Sequence, residues 1–94
     1  MIQIINGKTY NTATMTVLAT RDIYQNGNYA GCNSIRKTKS GALAYVSTSN
    51  GQDLYRESYI EAVTVGEARE KIDGWKLNDE EVAALNSHGI IEEA

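Results

Sequence analysis

The sequence predicts a small α+β domain, and three local patterns support this fold class. An Asn6-Gly7 pair separates two short stretches that can form strands, the pattern of a two-residue hairpin turn. Residues 42–49 alternate like a half-buried strand, and residues 64–89 hold two helix-start patterns. We therefore expect a single domain over 1–94: a small antiparallel sheet of four to five strands built from hairpins, a short N-terminal helix and two C-terminal helices.

The N-terminal residues predict a β-hairpin. Residues 1–5 form an apolar run, and Lys8-Thr9-Tyr10 returns as the second strand. Asn-Gly favours this turn because both central positions of a type I′ turn need φ > 0.

The next two segments are harder to assign. In residues 13–20, small apolar residues alternate with threonines as in a strand, but Met15, Leu18 and Asp22 have helical spacing. We expect a short helix there, for a reason given below. Residues 24–34 are rich in Gly, Asn and Tyr and have no period, so they predict a long loop that is a candidate functional surface.

A second hairpin is predicted in the middle of the chain. Residues 34–39 and 42–49 flank a polar connection at Ser40-Gly41. Residues 53–58 are expected to be a loop or a short edge strand, and Tyr59 to Val63 the final strand.

Both C-terminal helices have recognisable start and stop signals. Thr64 and Glu67 match a capping box, and Asn78 begins a second start signal. Apolar residues then recur at helical spacing, and a glycine follows each helix in the position that favours φ > 0. The predicted order is β-β-α-β-β-β-α-α. The apolar residues are Ala68, Ile72, Trp75, Val82, Leu85 and Ile90, and the glycines are Gly74 and Gly89.

Charge is distributed unevenly along the chain. The 94 residues have a formal charge of −3, from 9 basic and 12 acidic residues. Residues 1–60 hold six basic and three acidic residues, and residues 61–94 hold three basic and nine acidic residues. The first part is therefore basic, at +3, and the second acidic, at −6. Such polarity can steer charged partners.

Composition narrows the classes of function. A single cysteine excludes an internal disulfide framework and a thiolate-cluster zinc site. His88 is expected in the last turn of a helix and Cys32 in a loop, and no motif places either in a catalytic set. We expect no cofactor, no metal and no enzymatic activity. With no secretory signal and no apolar stretch of about 20 residues, we expect a cytoplasmic protein without a membrane partner.

Three stretches resemble a group of small uncharacterised proteins of phages and other mobile elements. They are Ile5-Asn6-Gly7-Lys8-Thr9-Tyr10-Asn11-Thr12, Arg36-Lys37-Thr38-Lys39-Ser40-Gly41 and Gly66-Glu67-Ala68-Arg69-Glu70. In that group the segment after Tyr-Asn-Thr looks helical, so the resemblance implies a helix over 13–20. By analogy it also implies a small inhibitor of host defence, as anti-CRISPR proteins are.

The leading expectation is therefore a non-enzymatic inhibitor that binds a host protein or nucleoprotein complex, such as a CRISPR effector, in the host cytoplasm. Its acidic helical face would compete with nucleic acid for a basic surface of the target. The predicted protein-binding residues are Glu67, Glu70, Asp73, Asp79, Glu80 and Glu81.

Three alternatives remain open at this point, and one of them is an enzyme with a carboxylate site that no motif marks. A small nucleic-acid-binding regulator would use the basic 34–41 hairpin, with Arg36, Lys37 and Lys39 on phosphates and Tyr45 on a base. A homodimer would pair through a sheet edge, because the sequence has no proline to protect one. Of the six tyrosines we expect two or three to be exposed, since tyrosine is enriched at interfaces.

Overall fold

A computed structural model describes residues 1–50 and 57–94. It confirms the α+β class: two antiparallel sheets, of two and four strands, are followed by two helices. The bounds of the elements are β1 Ile2–Ile5, β2 Lys8–Asn11, β3 Thr16–Gln25, β4 Asn28–Lys37, β5 Leu43–Ser49, β6 Tyr59–Val63, α1 Val65–Ile72 and α2 Asp79–Ser87.

The strands follow each other in sequence order within each sheet. β1 pairs with β2, and the larger sheet has the order β3-β4-β5-β6, with every neighbouring pair antiparallel. The first hairpin is as predicted: Asn6 and Gly7 have φ of 51° and 75°, both in the left-handed region that a type I′ turn needs. Part of the predicted loop or edge strand at 53–58 lies outside the described residues.

The prediction of a helix over 13–20 is wrong. Only Thr12–Thr14 form a single 3-10 turn, capped by the Asn11 side chain, and β3 begins at Thr16. The register shifts between Val17 and Ala19, so that the neighbours Leu18 and Ala19 are both buried. Because a β-bulge breaks the alternation of a strand at this point, the local pattern resembles a helix.

The prediction of a long loop over 24–34 is also wrong. The segment is the end of β3, a two-residue turn and most of β4. Asn26 and Gly27 have φ of 51° and 80°, so the Asn-Gly turn of the first hairpin is repeated here. The predicted hairpin between 34–39 and 42–49 is confirmed as β4–β5, and its first strand begins six residues earlier than expected.

The four-stranded sheet has a hydrophobic cluster on each face. Tyr45 of β5 belongs to a cluster with residues of both helices, whereas its neighbours Ala44 and Val46 belong to a cluster with Tyr10 of β2. Successive side chains of a strand point to opposite faces, so the helices cover one face and the β1–β2 hairpin the other. We call these the helix-side and the hairpin-side cluster.

Both helices start as the sequence predicts. The Thr64 hydroxyl accepts from the Glu67 N–H, and the Glu67 carboxylate accepts from the Thr64 N–H, which completes a capping box. Asn78 and Glu81 form the same arrangement at α2. None of the helices within 1–50 and 57–94 combines the length and apolar character needed to cross a membrane.

The two edges of the four-stranded sheet differ. At β6, the Gln3 side-chain amide donates to the Ile60 carbonyl at 2.9 Å and accepts from the Ile60 N–H at 3.0 Å. One side chain therefore satisfies both backbone groups that Ile60 would offer to a further strand. At β3, the Glu81 carboxylate accepts from the Thr20 N–H at 2.7 Å.

Candidate partner-binding surface

The six predicted acidic residues fall into two groups. Glu67 and Glu81 are engaged in the capping boxes, where their carboxylates accept backbone hydrogen bonds at 3.1 Å. Glu81 also accepts from Thr20, as described above. These two carboxylates therefore stabilise the helix starts and the position of α2 against β3.

The other four predicted carboxylates form what we call the acidic surface. Glu70 lies on α1, Asp73 caps its C-terminal end, and Asp79 and Glu80 begin α2, so they flank the link between the helices. All four are exposed, and none takes part in a salt bridge within the described parts of the chain. Asp79 and Glu80 also complement the N-terminal dipole of α2.

Two of the three cations in this half of the chain have internal partners. The Lys71 Nζ lies 3.4 Å from a Glu61 carboxylate oxygen and 4.6 Å from the centre of the Tyr45 ring. The Arg69 Nε donates to the Ile90 carbonyl at 2.5 Å. Neither of these two cations forms a salt bridge with the acidic surface in the described residues, and the third, Lys76, is exposed in the link between the helices.

The Glu61–Lys71 pair gives a pH-dependent prediction. Burial alone lowers the pKa of Lys71, but the charge and hydrogen bond of Glu61 and the nearby tyrosines raise it above its ordinary value. We expect Glu61→Gln to lower the pKa of Lys71, measured by NMR titration of its side chain. An exposed pair stabilises the fold by about 0.2–1 kcal/mol. Because the folded-state pKa is raised, this contribution is present below the ordinary lysine pKa and is lost as pH rises through the raised value. An unchanged Lys71 titration in the variant would contradict the pairing.

The basic side chains of the 34–41 hairpin do not form one surface. Arg36 is half-buried and its Nε donates to the Ser34 hydroxyl at 2.8 Å, whereas the Lys37 Nζ lies 3.2 Å from His88 Nδ1. Adjacent residues of a strand point to opposite faces, so these two cations do not share a surface. Lys39 is exposed in the turn, and Tyr45 is buried in the helix-side cluster. The four residues of the alternative nucleic-acid site are not brought together.

The hairpin tip between β3 and β4 carries a pair of exposed aromatic rings that the sequence reading missed. Tyr24 and Tyr29 are cross-strand partners whose ring centres lie 5.9 Å apart in an edge-to-face arrangement. Desolvation and a hydrogen bond with Cys32 raise the pKa of Tyr29. The Asn26-Gly27 dipeptide was the signal available, since it places the residues on each side opposite one another. Tyr59 is a third exposed tyrosine among residues 1–50 and 57–94. The sixth tyrosine, Tyr55, lies outside these residues.

Two clefts open beside the helices. One, of about 380 Å³, lies between β3 at residues 17–20 and the start of α2, and is lined by Asn78, Glu80, Glu81 and Ala84. A second, of about 330 Å³, lies between Arg69 and Ile90–Glu92. Within 1–50 and 57–94, no three His, Cys, Asp or Glu side chains are grouped so that they could hold a metal ion.

Fold and surface together define a small α+β protein with carboxylates concentrated around its two helices. No protein-family model, curated protein or solved structure matches the chain.

Proposed function

We propose that this protein binds a basic, nucleic-acid-binding surface of a partner protein and competes with nucleic acid for it, acting by binding and not by catalysis. The observation that carries the proposal is the acidic surface: four exposed carboxylates without a salt bridge in the described residues, beside two cations with internal partners. Charge complementarity of this kind steers association and excludes partners of the wrong sign.

The resemblance to small proteins of phages and mobile elements supports a host defence complex as the target. CRISPR effectors fit this class because they hold nucleic acid in positively charged channels. The expected site of action is then the host cytoplasm.

A plasmid-interference assay tests the target class. Cells that carry an active CRISPR effector are challenged with a plasmid that the effector cuts, with and without expression of the protein. We expect expression to restore transformation for at least one effector in a panel that covers every type. If every effector in the panel keeps its full activity, the proposed target class is wrong.

A double variant tests the acidic surface. Glu70→Gln with Asp73→Asn removes two exposed charges, and we expect binding to the inhibited effector to weaken by about threefold to tenfold in biolayer interferometry. Folding should be unaffected, because an acidic residue at a helix C-terminus is unfavourable to the dipole and its loss is tolerated.

The matched control removes two charges elsewhere. Glu92→Gln with Glu93→Gln changes the net charge equally at exposed C-terminal residues. We expect this control to bind as the wild type does. If both double variants weaken binding equally, net charge and not the acidic surface is responsible.

A further inference from the structure

The outer edge of β3 is built to accept one more strand. β3 lies at the end of the four-stranded sheet, whereas at the opposite edge the Gln3 amide occupies both backbone groups of Ile60 in the short strand β6. The Thr20 N–H points outward, since it donates to the Glu81 side chain and not to β4. Because backbone groups alternate along a strand and the register is regular from Thr20 to Asp22, the Asp22 backbone groups face the same way.

The Glu81 carboxylate occupies the place of a strand carbonyl. Its Oε2 lies 2.7 Å from the Thr20 nitrogen, a normal length for a charge-assisted hydrogen bond. The carboxylate thus satisfies one backbone donor of the edge in the same way that a neighbouring strand would. The side chain can be displaced by a peptide carbonyl, because the Asn78 N–H already gives Glu81 a second partner.

The cleft beside this edge has space for an added strand and is lined by apolar and acidic side chains. It runs along residues 17–20, with the first turn of α2 as its other wall. Val17 is 47% exposed there and offers an apolar contact. The α2 wall presents Glu80 and Glu81, while the nearest cation of β3, Arg21, is held over the Trp75 ring at 5.4 Å. A strand that enters this cleft would therefore meet negative charge.

We infer that this cleft binds an extended basic segment of the partner protein, which adds to β3 as a fifth strand and displaces Glu81 from Thr20. Backbone pairing provides the register, and alternate lysine or arginine side chains pair with Glu80 and the released Glu81. This inference rests on the proposed function and specifies the part of the partner that is recognised. A second copy of the chain is a poorer occupant, because β3–β3 pairing would add a second set of the same acidic residues to the cleft.

The test uses an eight-residue peptide that alternates lysine with valine, titrated into the ¹⁵N-labelled protein. We expect chemical-shift changes at Thr20 and Asp22 and slower amide exchange at both residues. The matched probe is the same peptide with alternate backbone nitrogens methylated on the edge that would pair with β3. It keeps every charge, loses the N–H donors of the pairing edge and places methyl groups against β3, so we expect it to bind at least tenfold more weakly.

Glu80→Gln with Glu81→Gln supplies the test from the protein side. Glutamine keeps a hydrogen-bond acceptor for the capping box, and we expect a threefold to tenfold loss of peptide affinity. Equal binding of the methylated peptide, shifts confined to the β1–β2 hairpin, or no binding at millimolar peptide would each overturn the inference. A dimer paired through β3 in sedimentation analysis would also overturn it. These outcomes leave the plasmid-interference result untouched, so the two proposals can fail separately.

Discussion

Replacing Leu85 with alanine is expected to lower the free energy of unfolding by about 3 kcal/mol, within the range for buried leucines. Leu85 is fully buried in the helix-side cluster and is the only buried residue of α2. The substitution removes its methyl groups and leaves a cavity between α2 and the sheet. A domain of this size has about 5–14 kcal/mol of total stability. We therefore expect thermal unfolding to shift down by about 12–24 °C.

Val82→Ala is the matched control for this experiment. Val82 lies on the same helix but is 41% exposed. Little apolar surface is lost there, and alanine has the higher helix propensity, so we expect a change within about 0.5 kcal/mol. Urea unfolding followed by circular dichroism measures both variants. Equal destabilisation by the two substitutions would show that α2 does not dock through Leu85.

Replacing Tyr10 with alanine is expected to destabilise the opposite face by about 3–5 kcal/mol, as for other large buried aromatic residues. Tyr10 is 7% exposed and packs with Ala44, Val46 and Ile60 in the hairpin-side cluster. It is the largest side chain that joins the β1–β2 hairpin to the four-stranded sheet. Its loss therefore weakens the contact between the two sheets and not only local packing.

Tyr24→Ala removes the same side chain from a surface position. Tyr24 is 62% exposed at the β3–β4 tip, so its substitution should cost less than about 1 kcal/mol. Guanidinium unfolding distinguishes the two, and hydrogen exchange adds a regional readout. In the Tyr10 variant we expect faster exchange in β1 and β2. A Tyr10 variant as stable as the Tyr24 variant would mean that the hairpin is not held by this contact.

The elements that the sequence predicts correctly are those with short-range causes. The Asn6-Gly7 turn and the capping boxes at Thr64 and Asn78 each depend on residues within three positions of one another. The backbone requirement and the side chain that satisfies it therefore lie in the same short window. Local sequence is sufficient to define such features.

β3 depends on information that a short window does not contain. The bulge at Leu18 places two neighbouring residues on the buried side, which imitates helical spacing. The strand is defined by its pairing with β4, and that pairing follows from the turn at Asn26-Gly27. The resemblance to phage proteins favoured the wrong alternative for the same segment.

The sequence indicates which residues of the candidate site are acidic, but not most of their contacts in the fold. The capping-box spacing already gave Glu67 a backbone partner, and Glu81 follows the same rule. Burial of Tyr45 depends on the strand register, and the Glu81–Thr20 bond joins residues 61 positions apart. No local pattern contains either relation.

The hydrogen bonds between Gln3 and Ile60 can form only when synthesis on the ribosome has reached β6. The two residues are separated by 57 positions, so the N-terminal hairpin emerges well before the strand on which it docks. At about 5–20 residues per second, the delay is roughly 3–11 s. During that interval the hairpin lacks one of the strands that it contacts, and its Ile2 and Ile4 side chains stay 65% and 73% exposed even in the finished fold. Docking of the β1–β2 hairpin on β6 therefore has to wait until Ile60 has been made.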